Sequence, residues 1–347
     1  MNRSGMPEPN GTFNPKHYIC HRAQGPLELD GRLDKPFWES APWTDDFVDI
    51  EGDLKPHPWK RTRVKMLWDD EYMYFGAEME EDEIWATLTE RDSVIFYDND
   101  FEIFIDPDGD THNYYEFEIN ALNTVWDLML PKPYRDGGPP INGWDIQGLK
   151  TAVHIEGELN NPQASNKKWT LEVAMPWSSL KEAAFESRKP NAGEYWRVNF
   201  SRVEWHVDIV DGQYVKRINP ETNRSLPEEN WVWSPQGVIN MHYPEMWGFV
   251  LFSEQNVSDS SNDEQRFILP RDEQIKWELR KLYYRERNYY EANGKFSSSF
   301  EELRGTDEWS IEPVIEVTSG LFQITAAAED GKSKLIIRED GKTWREA

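Results

Sequence analysis

Residues 97–120 read YDNDFEIFIDPDGDTHNYYEFEIN, two alternating runs joined by an acidic loop. In the first run Phe101, Ile103 and Ile105 alternate with Asp100, Glu102, Phe104 and Asp106. In the second, Tyr115, Phe117 and Ile119 alternate with Glu116, Glu118 and Asn120. A period of two predicts two strands with one buried face and one face presenting carboxylates, an amide and an aromatic ring. Like charges side by side on a sheet oppose one another. Three readings are open: water solvates the carboxylates, a metal bridges them, or a hydroxyl-rich ligand uses them as acceptors.

The surroundings repeat the pattern. Thr62–Trp68 and Tyr72–Met79 read as a hairpin turned by Asp69-Asp70-Glu71, and Thr124–Leu130 continues the meander. Leu149–Glu158, Trp169–Met175, Tyr195–Glu204 and Gly248–Ser253 read as further strands, with Pro176–Leu180 starting a short helix. Many short strands with turn signals and little helix predict an all-β fold, an antiparallel β-sandwich of immunoglobulin or jelly-roll kind. The segment 131–144, PKPYRDGGPPINGW, has the length of a binding loop. After residue 254 the composition turns to Ser, Asn and Asp, as in a linker. The spacing then predicts a helix over Glu273–Ala292 closed by Asn293-Gly294, followed by three short strands. The expected organisation is a flexible segment 1–16, a sandwich 17–254, a linker 255–271 and a small α+β domain 272–347.

Composition narrows the partners. A net charge of −26 over 347 residues excludes the clustered cations that nucleic acid requires and disfavours anionic lipid. The 17 Trp exceed what packing alone usually takes, and their flat amphipathic faces suit stacking on sugar rings. Cys20 stands alone, so no intrachain disulfide forms. No stretch approaches the ~20 apolar residues of a membrane span, and the opening residues hold no apolar leader.

Three segments resemble a family 9 carbohydrate-binding module: LELDGRLDKPFWESAPW, with Asp30, Gly31, Asp34 and Trp38; VKMLWDDEYMYFGAEM followed by DNDFEIFID and YEFEINA; and SPQGVINMHYPEMWGFVLF. Together they cover roughly residues 18–253. The resemblance implies a sandwich that binds neutral oligo- or polysaccharides, grips a terminal sugar between two aromatic rings and holds calcium structurally. It favours an extracellular or cell-surface location. Matched position by position, Tyr97 takes the place of the first stacking ring, Glu102 of the acidic hydrogen-bonding residue and Asn120 of the asparagine on the next strand. Glu118 stands where the sugar binders carry arginine. The second stacking ring has no clean match among Trp231, Trp233, His242 and Tyr243. Residues 280–303 and 322–332 distantly resemble the globular part of a type IV pilin.

The ligand-binding candidates are therefore Tyr97, Glu102, Glu118, Asn120, Trp126, Trp144, Arg202, Trp231, Trp233 and His242. Glu102, Glu116 and Glu118 also admit a glycosidase reading, in which paired carboxylates flank the scissile bond, although nothing in the sequence marks one of them as the acid. A third reading makes the sandwich a protein-interaction scaffold that displays the C-terminal domain. Asp106, Asp108 and Asp110 alternate hard oxygen ligands around a glycine, as a Ca²⁺ loop would, or form an ordinary Asp-Pro-Asp-Gly turn. The seven His lack metal-site spacing. The favoured reading is a non-catalytic carbohydrate-binding protein with Ca²⁺ as a structural cofactor.

Overall fold

The computed structural model describes residues 5–255 and 267–347; the expected linker lies mostly outside the described residues. The strands run β1 (His17–Arg22), β2 (Val48–Asp49), β3 (Thr62–Trp68), β4 (Tyr72–Glu80), β5 (Asp100–Asp106), β6 (Tyr114–Asn120), β7 (Val125–Leu130), β8 (Lys150–Glu156), β9 (Lys168–Pro176) and β10 (Tyr195–Glu204). Two small hairpins follow, β11 (Val207–Val210) with β12 (Gln213–Lys216) and β13 (Ile218–Asn219) with β14 (Arg224–Ser225). β15 (Glu229–Val232) and β16 (Gly248–Phe252) return to the main sheet. Helices α1 (Pro36–Glu39) and α2 (Trp177–Leu180) are single turns.

These strands form one curled sheet ordered β7-β6-β5-β10-β16-β1-β3-β4-β9-β8. The expected antiparallel sheet is in fact mixed: β1 runs parallel to β16 through His17–Cys20 and parallel to β3 through His21 and Arg22. One strand that changes neighbours midway folds the sheet onto itself. The fold therefore has two layers, with Val64, Met66, Phe75 and Leu171 of one packed against Ile103, Phe117 and Phe200 of the other. Trp68, Trp169, Trp196 and Trp247 are buried, as the strand pattern expects.

A buried carboxylate on β9 explains the Asp30-Gly31…Trp38 signature. Glu172 accepts the Asp30 and Gly31 N–H groups at 2.8 Å each, and Trp38 Nε1 donates to its other oxygen at 2.8 Å. Lys35 supplies the counter-charge at 2.9 Å. Gly31 has φ +80°, and a Cβ there would meet the Val153 backbone at 2.4 Å. Only glycine fits that approach.

Both faces of β5 and β6 are buried, whereas alternation predicted one exposed face. A second cluster of Ile50, Phe104, Tyr114, Leu128, Leu130, Val232, Met241 and Trp247 covers part of the face expected to meet water. Alternation reports which residues share a face, and the segments that later cross that face decide its exposure.

Beyond the sandwich lie α3 (Arg271–Asn293), α4 (Phe300–Leu303) and an antiparallel sheet of β17 (Val314–Val317), β18 (Phe322–Ala327), β19 (Lys334–Arg338) and β20 (Thr343–Glu346). Gly294 closes α3 in the left-handed conformation, its N–H bonded to Tyr290 O at 2.7 Å. Ile275, Leu279, Leu282 and Tyr283 pack with Ile324 and Ile337, and the same cluster takes in Met6, Val238, Tyr243 and Met246. Residues 5–16, expected to be flexible, run against α3: Met6 N–H donates to Asn288 at 2.9 Å and Phe13 stacks on Trp277. No helix among the described residues is long and apolar enough to cross a membrane.

Candidate functional site

The β5–β6 ladder places Glu102 directly opposite Glu118 and Asp100 opposite Asn120, with Glu116 one pleat further on the same face. Asp100, Glu102, Glu116 and Glu118 are all buried, and no lysine or arginine among the described residues forms an ion pair with any of them. Burial, then neighbouring negative charge, pushes the Asp100, Glu116 and Glu118 carboxyls well up. Burial raises Glu102 to about 7.

Two exposed tyrosines rim this face. Tyr97 ends a 3₁₀ turn, Ile95–Tyr97, and the Phe96 N–H of that turn donates to Glu118 Oε2 at 3.0 Å. The Tyr97 ring is 54% exposed, with the Lys216 ammonium 5.6 Å from its centre. Tyr134 comes from the 131–144 loop, is 42% exposed and stands edge-on to His242 at 4.5 Å. Burial and the charges of Glu116 and Glu118 raise its hydroxyl to about 12. His242 Nδ1 meets the Tyr114 hydroxyl at 2.9 Å, and burial with Arg135 lowers the imidazole to about 3, so it stays neutral at ordinary pH. Trp126 sits opposite Glu118 on β7, half-buried. Tyr97, Glu102, Glu118, Trp126 and His242 thus come together, with Tyr134 a member that sequence reasoning missed. Its signal was its place in a long Pro-Gly loop.

The other candidates lie elsewhere or are fully engaged. Asn120 donates to Leu88 O and Asp98 and accepts from the Leu122 and Thr124 N–H groups, which uses its whole amide. Arg202 is buried between Glu81 at 2.8 Å and Glu204 at 2.9 Å, and Lys60 completes the quartet. Trp231 and Trp233 are core residues. Trp144 stacks on Tyr115 at 4.5 Å with its indole N–H on Glu182, on the opposite side of β6 from Glu116 and Glu118.

The Asp106–Asp110 loop brings three carboxylate oxygens within 4.8 Å of one another. Asp106 already accepts the Gly109 and Thr111 N–H groups, and Asp110 pairs with Lys342 at 2.9 Å. Thr343 N–H bonds Asp110 O, and Arg280 donates to Thr111 Oγ1 at 3.1 Å, so this loop also seats the C-terminal segment.

Part of the 131–144 loop, read as a binding loop, performs the same docking. Arg287 pairs with Asp136 at 2.7 Å, and Tyr283 donates to the same carboxylate. Arg135 pairs with Glu245 at 2.8 Å, and Glu245 also accepts the Tyr284 hydroxyl. Arg197 of β10 reaches Glu273 of α3 at 3.3 Å.

Residues 29–193 match the family model described as carbohydrate family 9 binding domain-like. A comparison with curated proteins found no match. Among solved structures, the chain is similar to a family 9 carbohydrate-binding module from Caldicellulosiruptor kristjanssonii in complex with cellotriose, at 16% identity and a TM-score of 0.44, covering 73% of this chain and 100% of that one. The glucose complex of a module from the same organism gives 16% identity and 0.44 over 72% of this chain and 100% of that one. A protein of Bacteroides uniformis gives 14% identity and 0.48 over 69% and 100%. What these comparisons establish is a carbohydrate family 9 binding domain-like region at residues 29–193 within a mostly β chain.

Proposed function

We propose that this chain is a non-catalytic carbohydrate-binding protein whose glycan site is the outer face of β5–β7 between Tyr97 and Tyr134. The observation that carries this reading is the row of carboxylates flanked by two exposed tyrosine rings, lying inside the segment matched by the family model. Stacking on a pyranose uses the apolar face of a ring, and carboxyl groups exchange hydrogen bonds with hydroxyls in either protonation state. Glu102 and Glu116 keep the residual exposure through which a hydroxyl reaches them. A neutral glycan suits a chain whose own charge repels anions. Calcium at Asp106, Asp108 and Asp110 belongs to the same reading, with the three carboxylates gathered as hard oxygen ligands.

Calorimetric titration of the full chain with a panel of neutral mono- and oligosaccharides, calcium present, tests the site. Saturable binding that Tyr97→Ala and Tyr134→Ala each weaken is the expected result. A folded chain that binds no glycan overturns it.

A further inference from the structure

Five buried carboxylates of this chain are neutralised by its own cations. Glu81 and Glu204 share Lys60 and Arg202, Glu245 holds Arg135, Glu172 holds Lys35 and Asp127 holds Arg91. The carboxylates of the β5–β6 face have no such cation among the described residues. Asp100 is fully buried, and among the described residues no side chain hydrogen-bonds either of its carboxylate oxygens; the facing Val203 backbone lies near them. One oxygen of buried Glu116 is likewise unpartnered. An isolated buried charge costs several kcal/mol or more, so at this density each carboxylate is neutralised either by a proton or by a bound positive charge.

The geometry fits one. Oxygens of Asp100, Glu102 and Glu118 all lie within 4.8 Å of one another. Oxygens bound to a single Ca²⁺ at its usual 2.3–2.6 Å are at most about 5 Å apart. The ladder fixes this spacing: Glu102 and Glu118 face each other, and Asp100 lies two residues along the same strand and face. The Phe96 N–H holds one oxygen of Glu118 and leaves the other for the cluster. All the ligands are carboxylate oxygen, with no His or Cys, which selects a hard cation over zinc or copper.

We propose that Asp100, Glu102 and Glu118 bind one calcium-sized divalent cation on the outer face of the β5–β6 ladder, with Glu116 as the adjoining carboxylate. This site is separate from the Asp106–Asp110 loop, where backbone N–H groups and Lys342 already take up much of the carboxylate capacity. The ion gives the face the positive centre that no arginine or lysine among the described residues provides there, and it locks the facing strands in register. The site stands whether or not a glycan binds beside it.

The test counts ions. The full chain, stripped with a chelator, is titrated with CaCl₂ by calorimetry at neutral pH, beside an Asp100→Asn/Glu102→Gln variant. Bound calcium falls by one ion per chain in the variant, and the calcium-induced rise in Tm shrinks accordingly. In chelator the variant is at least as stable as the parent, because like charges have been removed; that result also shows that it folds. Glu116→Gln, a milder change, weakens the same ion about ten-fold or more. Equal ion counts in parent and variant, or a parent that binds no calcium, overturn the proposal. Glycan titration is a separate readout, so failure of the glycan site leaves the ion count to stand or fall alone.

Discussion

Glu102 faces Glu118 across the β5–β6 ladder, and no side-chain cation among the described residues separates them. Directly opposed like charges destabilise a strand pair by up to about 1 kcal/mol, and more where water is excluded. In chelator, Glu102→Gln or Glu118→Gln is therefore expected to raise Tm by roughly 2 °C or more. Saturating calcium should reverse the order, leaving the parent the more stable. Differential scanning calorimetry in the two buffers checks both signs; a variant less stable in chelator contradicts the argument.

A second relationship predicts a large loss. Asp136 is buried under Arg287 at 2.7 Å and also accepts the Tyr283 hydroxyl, so it ties α3 to the 131–144 loop. Removing one partner of a buried pair leaves the other charge uncompensated, which costs about 3–5 kcal/mol. Asp136→Ala should lower the urea midpoint accordingly and make residues 271–347 more susceptible to proteolysis. A change below about 1 kcal/mol would mean that water reaches Arg287.

The alternating residues of 97–120 were enough to identify the strands and to show which side chains share a face. That face's exposure was not legible, because the segments that cover it come from distant parts of the chain: Ile50, Met241 and Trp247 are neighbours only in the folded state. The Asp30-Gly31…Trp38 signature was recognisable, but its physical cause, Glu172, lies over 130 residues away. Tyr97 was legible as a ring at the head of a strand. Arg202 stood in the sequence as a candidate for binding hydroxyls, and its enclosing partner Glu81, 121 residues away, was not legible there. The helix periodicity placed α3 within two residues at its start, yet the polar residues on its other side, Arg280 and Arg287, revealed themselves as buried anchors only once Asp136 and Gly341 stood against them.

Acid should act on the same junction. Burial alone would raise the Glu245 carboxyl, but Arg135 and Arg280 reverse this and hold it down at about 2, against an ordinary value of 4.5. A lowered acid pKa contributes stability that is fully present above the unfolded value and is lost as pH falls through the folded one. Glu245 should thus contribute roughly 3 kcal/mol at neutral pH, lost between about pH 4.5 and 2. Tryptophan fluorescence followed across that window in the parent and in Glu245→Gln checks it. The variant should start less stable and show a shallower acid slope; parallel slopes would assign the acid response to other carboxylates.

The tyrosine rim separates binding from folding. Tyr97 and Tyr134 are exposed, and truncating either should change stability by no more than about 0.5 kcal/mol. Trp231 is buried edge-on to Trp59 at 4.7 Å, and Trp231→Ala should cost about 3–5 kcal/mol through the cavity it leaves. If a glycan stacks at the rim, Tyr97→Ala weakens it about ten-fold or more, equivalent to about 1.4 kcal/mol. The more conservative Tyr97→Phe should retain most of the affinity, because stacking uses the ring and not the hydroxyl. Calorimetric Kd values for the three tyrosine variants, each with its Tm, decide the matter. Full affinity in Tyr97→Ala with Tm unchanged would move the sugar off this face, and equal losses in Tyr97→Phe and Tyr97→Ala would replace stacking with a hydrogen bond from the phenol.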